Sequence, residues 1–457
     1  MKLTIIGGGG FRVPLVYRAL LTDQSSPRID DVTLYDTDSG HLSTIERVLG
    51  AQGRESSDAP RVSVCSDLRE ALRGADFVFC AMRVGGLAGR VVDENVALKL
   101  GVLGQETTGA GGIAFALRTV PVALRLAREI SEICPDSWVI NFTNPAGIIT
   151  EAMQSVLGER VIGICDSADG LVARAARAAG LQRSSVTADY VGLNHLGWLR
   201  ALYSSHDSCH ANDDETDVLP ALLADDDRLT LVEEARLMGL DWIRALGSIP
   251  NEYLYFYYCA REAIQAINDA PQTRGAFLQR QQDSFYRQAA AQPDTALDLW
   301  QRARRQRDET YMVELRDQAR TGDRDQQDIE EGGYEKIAIK LLGSLLRGES
   351  QRLILNVRNG DTLPGLPVNG VIEVPCLVDS GGPKPVRLPP AVGHELGLML
   401  QVKEVEQCTI KAARTGSKAL ARKALALHPL VDSVAVAGQL LSGYLKGSPE
   451  LAAALPN

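Results

Sequence analysis

The sequence predicts an α/β protein, with an N-terminal Rossmann-like doubly wound sheet and a C-terminal, mostly helical α+β lobe. Three observations carry this prediction. Over roughly the first two hundred residues, apolar runs with strand and helix periods alternate, as in parallel strands joined by helical crossovers. Four glycines stand between the first strand and the first helix in "TIIGGGGFRVP". Beyond about residue 210 the alternation stops and helical periods take over. The expected division is 1–200 and 201–457, in a chain of 457 residues, a length that suits two domains.

The elements follow in order. "KLTIIG" reads as a strand and "VPLVYRALLT" as an amphipathic helix, then "DVTLYD" as a second strand and a helix near 39–53. "RVSVC", "ADFVFCAM", "SWVINFT", "RVIGICD" and "TADYVGLN" are further strands, with helices such as "RTVPVALRLAREISEI" and "ADGLVARAARAAG" between them. "HANDDETDVLPALLADDDR" reads as an acidic, solvated excursion, and the charge-dense run at 301–331 as exposed or mobile. "QRLILNVRNG" and "GVIEVPCLV" predict a small second sheet, and 391–446 returns to helix.

Bulk properties narrow the class. With 45% apolar and 23% charged residues, the composition is that of an ordinary globular protein. The net charge of −10 disfavours non-specific nucleic-acid binding. No apolar run reads as a membrane span, which takes about 20 residues. "MKLTIIGGGG" enters a strand at once, without the pattern of a secretory leader. The eight cysteines are scattered, without a CxxC pair; Cys65, Cys80 and Cys134 read as small packed hydrophobes. That usage fits the reducing cytoplasm. The expected partner is a small molecule, neither nucleic acid nor membrane.

In the glycine loop, Gly7 and Gly9 fit the first two glycines of a dinucleotide fingerprint, where backbone must turn tightly and approach a pyrophosphate. Phe11 and Arg12 complete the loop, Arg12 standing where the third glycine would be. Asp36 closes the second strand, where an acid bonds the ribose hydroxyls of NAD and would repel the 2′-phosphate of NADP. Other polar residues also sit near strand ends: Arg83 in "AMRVGG", Asn144 in "FTNPAG", the pair Cys165 and Asp166 in "GICD", and Asn194 and His195 in "GLNHLGW". In a doubly wound sheet such ends line one crevice. Read alone, Cys165 is a packing residue, a nucleophile or a metal ligand. His195 beside an NAD site also fits a 2-hydroxy-acid dehydrogenase, and the fold alone fits a dinucleotide-sensing binding protein.

The ordered series "IIGGGG", "RVGGLAGR", "GVLGQETTGAGG", "ALRTVP", "NFTNPAG", "GICD", "GLNHLGW", "IPNEYL", "TRG" and "LPGLPVNGVIEVPC" resembles glycoside hydrolase family 4, and within it the 6-phospho-β-glucosidases. The resemblance covers most of 1–410 and thins in 205–240 and 300–330. It implies an NAD-dependent route, unlike the two-carboxylate route of most glycosidases. Hydride leaves sugar C3, a base removes the C2 proton, the C1–O bond breaks by elimination, water adds and the ketone is reduced again. It also implies a divalent metal, usually Mn²⁺, held by Cys165 and His195; thiolate and imidazole also suit Zn²⁺, Co²⁺ or Ni²⁺. Tyr253 matches the family's C2 base, and Asp166 is the candidate acid for the leaving oxygen. Arg83 and Arg274 match positions near the 6-phosphate, Asn144 and Asn194 match substrate contacts, and Glu106 in "GQETTG" lies close to the site. Two departures bear on specificity. Many β-specific relatives carry Asn after the cysteine, and some α-specific ones Asp, as here. Near residue 331, "EEGGYEKIA" lacks an arginine that relatives often carry. An α-linked or unphosphorylated sugar is the alternative substrate. By resemblance the substrate is a phosphorylated disaccharide or aryl glycoside and the assembly a homodimer or homotetramer. The first part then binds NAD, and the second completes the substrate site and the oligomer.

Overall fold

The computed structural model describes residues 1–204, 216–319, 321–322 and 333–456. Its strands are β1 (Lys2–Ile6), β2 (Asp31–Tyr35), β3 (Arg61–Cys65), β4 (Phe77–Cys80), β5 (Trp138–Asn141), β6 (Val161–Gly163), β7 (Val186–Leu193), β8 (Leu196–Ser204), β9 (Thr216–Asp217), β10 (Ile249–Pro250), β11 (Gln351–Arg358), β12 (Val371–Asp379) and β13 (Gly382–Pro385). All of them join one sheet. Strands β3-β2-β1-β4-β5-β6 lie side by side in that order and parallel, the doubly wound arrangement expected.

The inner parallel strands are mostly apolar because both faces are covered, whereas the edge strand β3 carries exposed Arg61 and Ser63. Phe77 and Phe79 of β4 join a core with helices Val13–Thr22 and Ser39–Gly53. Val78 and Cys80 point to the other face and meet helix Ala110–Ile133. That helix corrects the membrane reading: by length and composition it could cross a bilayer, but 83% of its apolar window is buried inside the protein. It is a core helix, packed on helices Ala146–Leu157 and Gly393–Thr415. Cys80 and Cys134 are buried as expected, whereas Cys65 lies on the edge strand β3 and is half-buried.

Beyond β6 the sheet departs from expectation. Strands β11 and β12 stand between β6 and β7, antiparallel to them, with Gly163, Asn356, Glu373 and Gly192 in one row across the junction. The second small sheet therefore does not form, since its two main strands complete the first. Leu353, Leu355 and Val357 enter one core and Ile354 another, so these strands are buried on both faces. A free two-stranded ribbon cannot meet that requirement. A boundary at residue 200 falls inside β8.

Two charged segments are more ordered than the sequence suggested. Residues 205–215, which overlap the start of the acidic excursion, and residues 320 and 323–332, at the end of the charged run, lie outside the described residues. The rest of the acidic excursion places Leu219 and Leu222 in the core. In the charged run, helices Ala296–Glu309 and Val313–Ala319 pack by Trp300 and Leu315.

Candidate active site

The carboxyl ends of β1, β2, β4, β5 and β6 open on a cleft of about 1210 Å³. The glycine loop forms its floor. Gly7 has φ +86°, and a Cβ there would lie 2.6 Å from the Ala81 carbonyl oxygen, so the position excludes a side chain. A Cβ on Gly9 would lie 3.0 Å from Asp36 Oδ2, which accepts the Gly9 N–H at 2.9 Å. Asp36 Oδ1 accepts from the Asp38 N–H at 3.1 Å. Helix Val13–Thr22 begins directly after the loop. A bare backbone cradle at a helix N-terminus, with a carboxylate at the end of the second strand, fits the pyrophosphate and ribose of NAD.

Three aromatic side chains of the second half fasten this loop. Tyr286 Oη donates to the Gly9 carbonyl at 2.7 Å, Trp300 Nε1 to that of Phe11 at 2.8 Å and Tyr334 Oη to that of Arg12 at 2.8 Å. Phe11 lines the cleft, and its ring is buried edge-on against Phe285 and near Trp300. It anchors the loop in the core. The Arg12 guanidinium does face the cleft, over the rings of Phe142 and Tyr334.

Cys165 and His195 meet. Cys165 follows β6 by two residues. Asn194 and His195 form the two-residue turn between β7 and β8, with Leu193 paired to Leu196. Such turns favour glycine where φ is positive, yet His195 occupies φ +100°. The strained position brings its Nε2 to 3.4 Å from Cys165 Sγ. The ring's other nitrogen, Nδ1, lies 2.9 Å from Thr107 Oγ1. Burial lowers the His195 pKa to about 3, so the imidazole is neutral. With Nδ1–H donating to Thr107, Nε2 presents a lone pair. Thr107 is itself fixed, because its N–H and that of Thr108 both donate to Gln105 Oε1 at 2.6 Å.

The pair fits a divalent ion. A spacing of 3.4 Å is that of two donors each about 2.0–2.3 Å from a shared centre. Burial, with Glu373 and Asp166 nearby, pushes the Cys165 thiol well above its usual range, so a cation is needed to draw off its proton. Among the described residues no third His, Cys, Asp or Glu completes a metal-binding group.

Tyr253 stacks flat on His195, with ring centroids 3.7 Å apart and 3° between planes. Its oxygen accepts from Tyr311 Oη at 3.2 Å. Burial, then Tyr311 and Glu252, hold the phenol well above its ordinary value. A dication beside it acts in the opposite sense. Asp166 lines the same cleft and makes no side-chain capping bond to the helix it precedes, Ser167–Ala178. Asn144 also lines the cleft.

Of the remaining candidate substrate contacts, Arg83, Glu106 and Arg274 line the cleft as expected and Asn194 does not. Asn194 is not among the cleft-lining residues; its Nδ2 donates to Glu373 Oε1 at 3.2 Å, behind the metal pair. Glu106 does line the cleft, but it pairs with both Arg83 and Arg90. Burial raises its pKa, and the two arginines outweigh that and hold it far below the carboxylate range. Arg83 is thereby already matched by a carboxylate. Arg274 lines the cleft and donates to the Thr310 carbonyl and hydroxyl and to the Arg307 carbonyl.

Sequence reasoning missed Arg90, Thr107, Glu252, Arg307 and Tyr311, all of which line the cleft. Arg90 and Thr107 lay inside the motifs "RVGGLAGR" and "GQETTG". Arg307 lay in a charged run and had no local signal. Glu252 accepts from Ser167 Oγ at 2.8 Å, and burial lifts its carboxyl to about 7.

The geometry can be set beside known proteins. The sequence model described as "Family 4 glycosyl hydrolase" matches residues 2–181, and that of the "Family 4 glycosyl hydrolase C-terminal domain" matches 190–431. The chain belongs to glycosyl hydrolase family 4. A relative from Bacillus subtilis, "Probable 6-phospho-beta-glucosidase", is 29% identical over 98% of this family 4 hydrolase and 96% of its own length. The 6-phospho-beta glucosidase of Thermotoga maritima, solved with manganese, NAD+ and glucose-6-phosphate, superposes with a TM-score of 0.80 at 27% identity, covering 98% of each chain. A 6-phospho-alpha-glucosidase from gut microorganisms, solved with NAD and glucose-6-phosphate, gives 0.80 at 26% identity, covering 98% of this chain and 97% of that one. The cofactors of these relatives are the two anticipated here from the sequence. Membership in a hydrolase family sets aside the 2-hydroxy-acid dehydrogenase reading.

Proposed function

We propose that this family 4 hydrolase is an NAD- and divalent-metal-dependent 6-phospho-β-glucosidase, using Mn²⁺ by preference and acting in the cytoplasm. The observation that carries this reading is the close pair of Cys165 Sγ and His195 Nε2, under the Tyr253 ring, at the mouth of a dinucleotide-type crevice. When bound, NAD supplies a reversible hydride acceptor for sugar C3 and the metal supplies a Lewis acid. The chain's own residues do the rest. Gly7 and Gly9 leave room for the pyrophosphate, and Asp36 holds the ribose hydroxyls. Tyr253 takes the C2 proton. Asp166 gives a proton to the leaving oxygen and afterwards serves the water that replaces it. Tyr311, donating to Tyr253, orients the phenol oxygen. Localisation is supported by the seven cysteines among the described residues, all of which are free. A homodimer or homotetramer follows from the family resemblance, and light scattering tests it.

Asp166 favours a second reading, an α-specific phosphoglucosidase, since a carboxyl at that position resembles α-specific relatives. One product assay decides between them. Aryl α- and β-glucosides, each with and without the 6-phosphate, are offered with NAD⁺, Mn²⁺ and a thiol reductant. The proposal expects β-linked, phosphorylated substrate to turn over with catalytic NAD⁺, no net NADH and solvent deuterium at C2. Cleavage of the α-linked substrate alone selects the second reading, and no cleavage of any of the four rejects both.

A further inference from the structure

Eight arginines line the cleft, and their neighbours divide them: Arg174 pairs with Glu234, Arg304 pairs with Asp308, and Arg125 is exposed. Arg83 and Arg90 share Glu106, and Arg90 also pairs with Glu94 at 2.7 Å. Arg12 stands over two aromatic rings, with Asp166 and Asp308 near enough to favour its charge. Arg274, at the start of helix Arg274–Ala291, and Arg307, near the end of helix Ala296–Glu309, are different. Among the described residues neither has a carboxylate oxygen within 4.0 Å. Arg274 Nη2 donates to the Arg307 carbonyl at 2.8 Å and Nη1 to Thr310, which locks the two helices together and sets both guanidinium groups at the same wall.

The electrostatics agree with that geometry. Burial, then Arg12 and Arg274, push Arg307 well below the arginine range, and burial with Arg90 lowers Arg274 to about 10. Glu106 is the carboxylate that offsets Arg307, and Arg83 and Arg90 already share it. A protein gains nothing from holding two such groups half-buried and unmatched unless an anion enters between them. A phosphate dianion suits the guanidinium fork.

We propose that Arg307, set beside Arg274, binds the 6-phosphate of the sugar and makes the enzyme selective for phosphorylated substrates. The assignment rests on the phosphoglucosidase reading above. It moves the second phosphate cation from Arg83, which Glu106 occupies, to a helix outside the family motifs. The same anion chemistry occurs in the dinucleotide pyrophosphate, so the test separates the two sources.

Arg307→Met and Arg307→Gln are assayed in the NAD- and Mn²⁺-loaded enzyme. The readouts are the ratio of kcat/KM for an aryl 6-phosphoglucoside to that for the unphosphorylated glucoside, the glucose 6-phosphate affinity, and the NAD affinity. The proposal expects the ratio to fall about 10–100-fold, as for loss of a charge-assisted bond, with a matching loss of glucose 6-phosphate affinity. Arg307→Lys should restore part of it. An unchanged ratio in a wild-type enzyme that itself prefers phosphorylated substrate overturns the Arg307 assignment alone. A loss of NAD affinity with the ratio intact also overturns it, and assigns Arg307 to the dinucleotide. A wild-type enzyme with no preference for phosphate overturns this inference and the phosphoglucosidase reading together.

Discussion

The sulfur–imidazole end of the cleft and its guanidinium end are built by different means. Cys165 lies two residues beyond β6 and His195 in the two-residue turn between β7 and β8, where the main chain fixes the side chain within one or two bonds. Arg274 and Arg307 are long side chains on helices of the second half, and Arg274 bonds to the main chain of the helix that carries Arg307. On the proposed reading, the metal-holding pair sits close to strand ends, fixed by the main chain, while the selecting charge sits on helices.

Four measurements probe this contrast, in order of expected effect. Tyr253→Phe should suppress exchange of the sugar C2 hydrogen with solvent by about 10²–10⁴-fold, the range for removing a positioned base, while NAD affinity holds. Unaltered exchange removes Tyr253 as the base. Cys165→Ser should weaken Mn²⁺ binding, followed by titration and electron paramagnetic resonance, by more than the ~10–100-fold typical of an outer-shell partner. A metal isotherm that does not move would show that the sulfur is not a ligand. Thr107→Val should cost about 10–100-fold in Mn²⁺ affinity by releasing the His195 tautomer, and nitrogen NMR of the imidazole should report the change even without metal. If the guanidinium end were coupled to this pair, Arg307→Met would shift this isotherm too.

The fourth effect is the smallest and lies outside the cleft. Burial lowers His428, like His195, to about 3. The unfolded chain, with histidine near 6.5, then binds more protons than the folded one between those values. Stability is therefore highest above about pH 6.5 and declines as pH falls toward 3. His428→Gln should reduce the acid-side slope of Tm against pH and leave Mn²⁺ affinity unchanged. A steeper slope would show the sign to be wrong.

The legible parts of this molecule were those where backbone geometry dictates residue type. Gly7 could be read because nothing else fits beneath the Ala81 carbonyl, and Asp36 because it ends a strand beside that loop. The doubly wound order followed from the alternation of periods. Strand β8 escaped notice because the turn before it carries Asn194 and His195 in place of a glycine signal, so "TADYVGLN" looked like the end of a strand rather than half of a hairpin. The insertion of β11 and β12 was invisible, since a pairing between Gly163 and Asn356 leaves no trace in local pattern. Motif membership placed Phe11 and Asn194 near the site but could not say which atoms face it. Arg307 failed for a related reason: a helix residue reaching inward looks, in sequence, like its solvated neighbours.

The order in which the sheet closes has a consequence for biosynthesis. A ribosome that has delivered Cys165 and His195 has not yet made the two strands that will lie between β6 and β7. Pairings of such long sequence separation form late and slowly. The Cys165–His195 corner therefore borders strands made only in about the last quarter of translation, and the nucleotide loop likewise waits for Tyr286, Trp300 and Tyr334 to fasten it.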